Sequence, residues 1–248
     1  MFEKIKKSEL IQGSLILLIL INVYNVLNYL FHFAMIRFLE PTEYGILATL
    51  MAFVYILTIP SESMQTIISR YTSKLSGENP GKLRFLFERS FYRGAKLALF
   101  IFIFYIILTP VFSYMLKIPF YLLGITGLVI FMAFVLPTGR GVLQGTKRFY
   151  SLGVNTLIEG SIKLILSVAL VYTGWSVLGA ISSVVISLFI AFIISVVSFS
   201  YIFRHKKEPI KLDGIYKYSI SVFILVALVV VLLSIDVIIA KITFPADL

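Results

Sequence analysis

The sequence predicts an all-α fold, a polytopic membrane helical bundle of about seven transmembrane helices. Three observations lead to this prediction. Of the 248 residues, 59% are hydrophobic and only 14% are charged, and the mean hydropathy is +0.99. The hydrophobic residues form long uninterrupted blocks that approach the roughly 20 residues needed to cross a bilayer. The lysines and arginines are concentrated in every second connection between those blocks.

Seven apolar blocks define the predicted spans. Turn-forming residues such as Pro41, Pro119 and Gly174 separate some of them, and charged segments separate the others. The first block is too long for the core of a signal peptide and has no small-residue cleavage site, so we expect it to remain as a membrane helix. The spans cover about residues 11–38, 45–72, 92–116, 119–139, 153–173, 176–203 and 215–241.

The distribution of basic residues gives these spans an orientation. The formal net charge is +10, and 17 of the 22 Lys and Arg residues lie at the N-terminus or in the connections after the second, fourth and sixth spans. The opposite side has three, namely Arg37, Lys117 and Lys241. Because basic residues in short loops mark the cytoplasmic side, we predict a multi-pass protein of the cell (cytoplasmic) membrane with a cytoplasmic N-terminus. This distribution explains the basic charge without a nucleic-acid partner.

One basic connection also contains aromatic residues at helical spacing. Residues 82–96 mix Lys and Arg with Phe and Tyr and lead into the third span. This pattern predicts a short interfacial helix, separate from the span, that is held by its apolar face and by anionic membrane lipids.

Polar residues follow one side of the first span. Asn22, Asn25, Asn28 and His32 fall within about 120° of each other on a helix. Asparagine can join two membrane helices by hydrogen bonding, and the same stripe can line a hydrated cavity. Both explanations stay open at this point. We do not expect His32 to bind a metal ion, because the only other histidine, His205, is predicted near the cytoplasmic face.

The second span bends at Pro60 and then becomes polar. Glu62 and Arg70 are eight residues apart, about 12 Å along a helix axis, so they are too distant for a direct ion pair within one straight helix. We expect Glu62 to face a cavity, and Arg70 either to have another partner or to reach towards the cytoplasmic surface. The residues that share the face of Glu62 are Thr66, Ser69 and Ser73.

The later spans also carry charge, which is costly at membrane depth and is usually functional. Glu159 precedes Lys163 by four residues, the favourable order for an ion pair within one helix. In one interpretation, Glu159 and Lys163 neutralise each other at a helix interface. In the other, they face a lumen, where either residue can leave its partner and bind a phosphate or a proton. Asp236 in the seventh span has no opposite charge one turn away, which predicts a proton or cation site, or a partner for Lys163 or Arg70.

The sequence contains no constellation of catalytic residues. It has no cysteine, no Ser/His/Asp set, no metal-ligand spacing and no phosphate-binding glycine loop. We therefore expect no enzyme activity, no catalytic residues, no bound metal ion and no cofactor. The pair Gly141 and Gly145 is interpreted as part of a turn between the fourth and fifth spans.

Four segments resemble the polysaccharide-type flippases, the oligosaccharide branch of the multidrug/oligosaccharidyl-lipid/polysaccharide exporter superfamily. The segment from Tyr29 to Gly45, which contains Arg37-Phe-Leu-Glu-Pro-Thr-Glu-Tyr-Gly45, resembles the end of their first helix. The other three segments resemble their second helix, the connection into their fifth helix, and the start of their second half. They are 59–71, 141–163 and 236–241.

The resemblance implies a transporter of two six-helix lobes that moves a lipid-diphosphate-linked oligosaccharide to the outer leaflet by alternating access, for polysaccharide or cell-surface glycan synthesis. By this analogy, residues 1–214 are the N-terminal lobe and 215–248 begin a truncated second lobe, so the chain is expected to be a fragment. The expected partners are membrane lipids, a polyprenyl-diphosphate-linked glycan and glycan-assembly proteins. The predicted cavity residues are Asn25, Asn28, His32, Glu62, Arg70, Glu159, Lys163 and Asp236.

Three other functions remain open. The first is a multidrug or cation antiporter of the same superfamily, with Glu62, Glu159 or Asp236 as its ion site. The second is a membrane enzyme that acts on polyprenyl phosphates, which the scattered acidic residues disfavour. The third is a structural membrane subunit, in which the charges within the spans would be dispensable.

Overall fold

The computed structural model describes residues 2–75, 77, 80–210 and the single positions 228, 235, 239 and 243. Within these residues every regular element is a helix, which confirms the predicted all-α fold. A π-helical turn, Val171–Trp175, joins α7 to α8, and a 3-10 helix, Ser200–Arg204, follows α8. The α-helices are α1 Phe2–Phe38, α2 Pro41–Leu57, α3 Ile59–Leu75, α4 Pro80–Leu116, α5 Phe120–Gly127, α6 Val129–Gly145, α7 Phe149–Leu170 and α8 Ser176–Ser198.

Five helical stretches of the described chain are long and apolar enough to cross a membrane. The last stretch has 50 residues and contains both α7 and α8, which pack against each other across the short turn between them. Each of the first six predicted spans therefore has a helical counterpart. The predicted seventh span, 215–241, and with it Asp236, lies outside the described residues. The five stretches are Ile11–Phe38, Pro41–Leu75, Pro80–Leu116, Phe120–Gly145 and Phe149–Ser198.

Two breaks occur close to where the sequence predicts them. Gly174 has a φ of 91°, which glycine adopts without a steric penalty, and it lies in the turn between α7 and α8. The second span divides at Thr58, two residues before the predicted bend at Pro60. Pro60 belongs to the first turn of α3, where the backbone N–H that proline lacks is not needed for the helix.

The predicted interfacial helix at residues 82–96 is wrong. These residues form the first part of α4, which continues without a break to Leu116. The apolar face of this segment is used within the protein, because Leu83, Leu86 and Phe87 are each at most 5% exposed. That face is therefore not available for insertion into the lipid surface.

The predicted turn at Gly141 and Gly145 is also wrong, because both glycines lie within α6. A Cβ atom at Gly145 would come within 2.5 Å of the backbone oxygen of Ser69, and one at Gly141 within 2.8 Å of the Cβ atom of Ile68. The two glycines therefore allow α3 to pack directly on the backbone of α6, which is the use that membrane helices commonly make of small residues.

Several of the basic connections lie at one end of the bundle. Arg84 of α4 donates hydrogen bonds of 3.0 Å to the carbonyl oxygens of Phe203 and His205. Arg148, which precedes α7, donates one of 2.6 Å to the carbonyl oxygen of Ser198. The start of α4, the start of α7 and the segment after α8 therefore lie together. We call this the basic end.

Within the described part of the chain, the first and third helices do not pack on each other. α1 packs on α7, and α3 packs on α6, whereas α1 and α3 have at most marginal contact with each other. α6 and α7 are in contact, so the space between α1 and α3 is bounded by α7 and α6. We call this space the α1–α3 gap. At the end opposite the basic end, Ser176 donates a hydrogen bond of 2.5 Å to Glu43, which joins α8 to α2.

Candidate functional site

A buried ion pair lies between two of the helices that bound the α1–α3 gap. The Nη2 atom of Arg140 on α6 lies 2.5 Å from the Oε2 atom of Glu159 on α7. The two side chains are only 14% and 6% exposed. Such a pair is stable in a low-dielectric environment only when its remaining polar atoms also find partners.

Asn155 and Tyr24 supply partners for the Nε atom of Arg140 and for the second oxygen of Glu159. The Nε atom of Arg140 donates a hydrogen bond of 2.8 Å to Asn155, which itself donates one of 2.6 Å to the carbonyl oxygen of Ala191 on α8. The hydroxyl group of Tyr24 on α1 donates a hydrogen bond of 3.0 Å to the other carboxylate oxygen of Glu159. Asn155 is fully buried. One hydrogen-bonded network therefore connects α1, α6, α7 and α8.

Lys163 lies one helical turn beyond Glu159 and is also buried, at 6% exposure. Its ammonium group donates a hydrogen bond to the side-chain oxygen of Asn28 on α1. The same group lies 5.1 Å from the ring centroid of Phe31 and 5.8 Å from that of Tyr24, distances at which a cation is attracted to an aromatic face. The expected ion pair of Lys163 with Glu159 is thus replaced by two separate contacts, one for each residue.

The formal charge of this cluster is positive. Arg140 and Lys163 each contribute one positive charge, and Glu159 contributes one negative charge. We call Tyr24, Asn28, Arg140, Asn155, Glu159 and Lys163 the central cluster. Burial of a charge without a counter-charge is unfavourable. The formal charges of the six residues sum to +1, so one positive charge has no counter-charge within the central cluster.

Within the described part of the chain, the other predicted residues of the first helix make no hydrogen bond to the central cluster. His32 has its Nε2 atom 3.4 Å from the hydroxyl of Tyr55 and its Nδ1 atom 3.5 Å from that of Tyr44, so it connects α1 to α2. Asn25 is exposed, as is Asn22, whose side chain donates a hydrogen bond to its own helix. The predicted asparagine stripe therefore divides, and of its three asparagines only Asn28 reaches the buried charges.

The predicted charges of the second span also remain outside the central cluster. Glu62 and Arg70 are both exposed on α3. The polar contact from α3 to α6 is made instead by Gln65, whose amide donates a hydrogen bond of 3.0 Å to Gln144. Glu62 and Arg70 remain predictions for a cavity wall. Asp236 cannot be placed, since it lies outside the described residues.

Sequence reasoning missed Arg140 as a site residue. It assigned Arg140 to the connection between the fourth and fifth spans, because Gly139 and Gly141 on either side resemble a turn. The available signal was that the apolar pattern continues through Val142 and Leu143 to Gly145. Tyr24 was missed because tyrosine is common at span ends and carries no formal charge.

Two apolar surface grooves do not include the central cluster. One lies between α1 and α7 and is lined in part by Leu30, Phe33 and Val168. The other lies between α4 and α8 and is lined in part by Phe91 and Val197. Apolar surface of this kind suits contact with lipid tails. Within the described part of the chain, no group of three or more His, Asp or Glu residues is placed to hold a metal ion.

Comparison with known proteins gives one family and several related folds. A family model described as "Polysaccharide biosynthesis protein" matches residues 34–248. No curated protein matches the sequence. One similar solved structure is a MOP superfamily transporter from Pyrococcus furiosus, described as having a binding pocket of reverse polarity. It is 15% identical, with a TM-score of 0.61, over 92% of this chain and 54% of that one.

Two further solved structures have the same fold. One is the outward-facing conformation of a multidrug resistance MATE family transporter of the MOP superfamily, 16% identical with a TM-score of 0.61, matched over 92% of this chain and 54% of that one. The other is a MATE protein in complex with MaD3S, 14% identical with a TM-score of 0.66, matched over 92% and 55%. The chain therefore spans about half the length of the structures that it matches.

Proposed function

The chain belongs to the polysaccharide biosynthesis protein family, and from this premise we propose that it forms the N-terminal lobe of a flippase. The flippase would move a lipid-diphosphate-linked oligosaccharide from the cytoplasmic to the outer leaflet by alternating access between two lobes. The N-terminus would be cytoplasmic, because 17 of the 22 Lys and Arg residues lie at the N-terminus or in the connections predicted on the same side of the membrane.

The observation that carries this proposal is the positive formal charge of the central cluster. A diphosphate headgroup is anionic and hydrogen-bonds well to guanidinium and ammonium groups. The central cluster provides both groups on helices that bound the α1–α3 gap. The exposed polar side chains of α1 and α3, among them Asn25 and Glu62, are suited to sugar hydroxyl groups.

The test is a flipping assay in liposomes that contain the natural polypeptide to which this chain belongs. The probe is a polyprenyl-diphosphate-linked disaccharide with a fluorescent label on the sugar. We expect the labelled lipid to become accessible to a membrane-impermeant quencher faster than in protein-free liposomes. An unchanged rate for this probe, with correctly inserted protein, would rule out the proposed activity.

A multidrug or cation antiporter is the second candidate, because one structural relative is described as a multidrug resistance transporter. Such a transporter needs an acidic group that can take up a cation. Glu159 is the buried carboxylate of the central cluster, and Arg140 already neutralises it. Efflux of a cationic dye that the lipid-linked sugar does not inhibit would favour the antiporter.

A further inference from the structure

We infer that Arg140, rather than Lys163 or Arg70, makes the principal contact with the diphosphate of the substrate. This inference rests on the proposed function and assigns the headgroup contact within it. It depends on the donor atoms that Arg140 leaves available, on the contacts that fix its position, and on the different surroundings of the other two cations.

Arg140 keeps one edge of its guanidinium group available. Its Nε atom donates to Asn155, and its Nη2 atom donates to Glu159. Within the described part of the chain, Nη1 donates no hydrogen bond, and the side chain retains 14% exposure. A guanidinium group has five N–H donors in a planar fork that matches the oxygen atoms of a phosphate group. Arg140 can therefore bind a phosphate oxygen without giving up its present partners.

The contacts of Arg140 also fix its position before any ligand binds. Asn155 is held by the backbone of Ala191, and Glu159 is held by the hydroxyl group of Tyr24. The guanidinium plane is thus attached to α7 through two side chains that are themselves fixed by α8 and α1. A donor fixed in this way loses little conformational entropy when it binds a ligand. Asn155 and Glu159 act here as positioning residues.

The other two cations are less suitable. Lys163 is enclosed by Asn28 and by the rings of Phe31 and Tyr24, so a ligand would have to displace these contacts. Its buried charge instead keeps the local potential positive. Arg70 is exposed on α3, where water and salt weaken its attraction for an anion. Arg140 combines limited exposure with available donor atoms.

The test measures binding of farnesyl diphosphate, inorganic diphosphate and farnesol to the natural polypeptide in detergent by native mass spectrometry. The variants are Arg140→Gln, Arg140→Lys and Lys163→Gln, with Arg89→Gln on the exposed face of α4 as the control. We expect Arg140→Gln to weaken binding of both diphosphates roughly 10- to 100-fold and to leave farnesol unchanged. Arg140→Lys should also weaken diphosphate binding, because lysine lacks the planar fork.

Arg140→Gln leaves the carboxylate of Glu159 without its counter-charge, so this variant can lose binding because it misfolds. A second variant separates loss of folding from loss of the diphosphate contact. The double variant Arg140→Gln/Glu159→Gln removes both charges, and we expect it to fold while losing diphosphate binding. If Lys163→Gln abolishes binding and Arg140→Gln matches Arg89→Gln, the assignment of Arg140 is wrong although the proposed function stands. If the unmodified protein binds neither diphosphate, the proposed function itself fails.

Discussion

The carboxylate of Glu159 lies 2.5 Å from Nη2 of Arg140 on a neighbouring helix, although Lys163 stands one turn away on its own helix. An arginine can bind Glu159 and Asn155 together through two adjacent N–H donors of one planar group. Lys163 is then left to Asn28 on α1. Glu159 and Lys163 of α7 therefore bind partners on other helices rather than each other.

We predict that Glu159→Gln destabilises the lobe by about 3–5 kcal/mol, because it leaves the guanidinium of Arg140 buried without its counter-charge. The midpoint of thermal unfolding in detergent should fall accordingly. The exposed residue Glu62 provides the control, since Glu62→Gln should change the free energy of unfolding by less than about 0.5 kcal/mol. Equal effects of the two substitutions would contradict the importance of the buried pair.

We predict that Gly145→Ala destabilises the packing of α3 on α6 by about 1–3 kcal/mol. The new methyl group would lie within 2.5 Å of the backbone oxygen of Ser69, which cannot move without shifting α3. Gly124→Ala in α5 is the matched control, because nothing lies within 4 Å of the added atom. In that position alanine should be neutral or stabilise the helix by about 0.5–1 kcal/mol. Thermal unfolding of both variants measures the difference.

We predict that Arg84→Gln loosens the attachment of the segment after α8 to α4. Arg84 holds two carbonyl oxygens of this segment and also donates a hydrogen bond of 2.7 Å to Glu88, which accepts another of 2.8 Å from Lys207. Hydrogen exchange at the amide of Glu208, which donates to Gly81 of α4, should become about tenfold faster.

The exposed neighbour Lys206 supplies the control for this measurement, since Lys206→Gln should leave exchange unchanged. An exchange rate at Glu208 that does not respond to Arg84→Gln would mean that apolar contacts alone hold the segment. Such contacts come from Phe87 on α4, whose ring centroid lies 5.0 Å from that of Phe199 and 5.8 Å from that of Phe203.

We predict that Asp236→Asn abolishes transport by the natural polypeptide. Asp236 lies in a predicted span with no opposite charge one turn away, and an acidic group at membrane depth usually serves a proton, a cation or a distant partner. The flipping assay described above measures the effect. Asp213→Asn, in the predicted connection before that span, is the control and should transport normally. Normal transport by Asp236→Asn would remove this residue from the proposed site.

Most of the fold could be predicted because a membrane helix needs a continuous apolar segment of a known length. The six matched spans, the break at Gly174 and the division of the second span near Pro60 all follow from that requirement and from local turn chemistry. The start of α4 could not be predicted in the same way. It depends on an apolar face, which includes Leu83 and Leu86, that is buried within the protein.

The candidate site was predicted only in part. Polarity at membrane depth singles out Asn28, Glu159 and Lys163, and the structure brings them together with Arg140 and Tyr24, while their role in a cavity stays a prediction. The i,i+4 rule did not identify the partner of Glu159, because the rule describes an isolated helix and a partner on another helix competes with it. Arg140 was assigned to a connection because glycines flank it, but Gly139 and Gly141 lie within α6 and allow close helix packing.

The length of α4 has a consequence for the membrane around the protein. The helix has 37 residues, and its part without charged residues, from Leu97 to Leu116, is about 30 Å long. In a bilayer of shorter lipids, tilting of α4 is one way to relieve the hydrophobic mismatch. Its backbone touches that of α6 where Gly94 meets the carbonyl oxygen of Phe134, so the tilt is passed directly to the helix that carries Arg140. Acyl-chain length in the surrounding lipid would therefore change the position of the helix that carries Arg140.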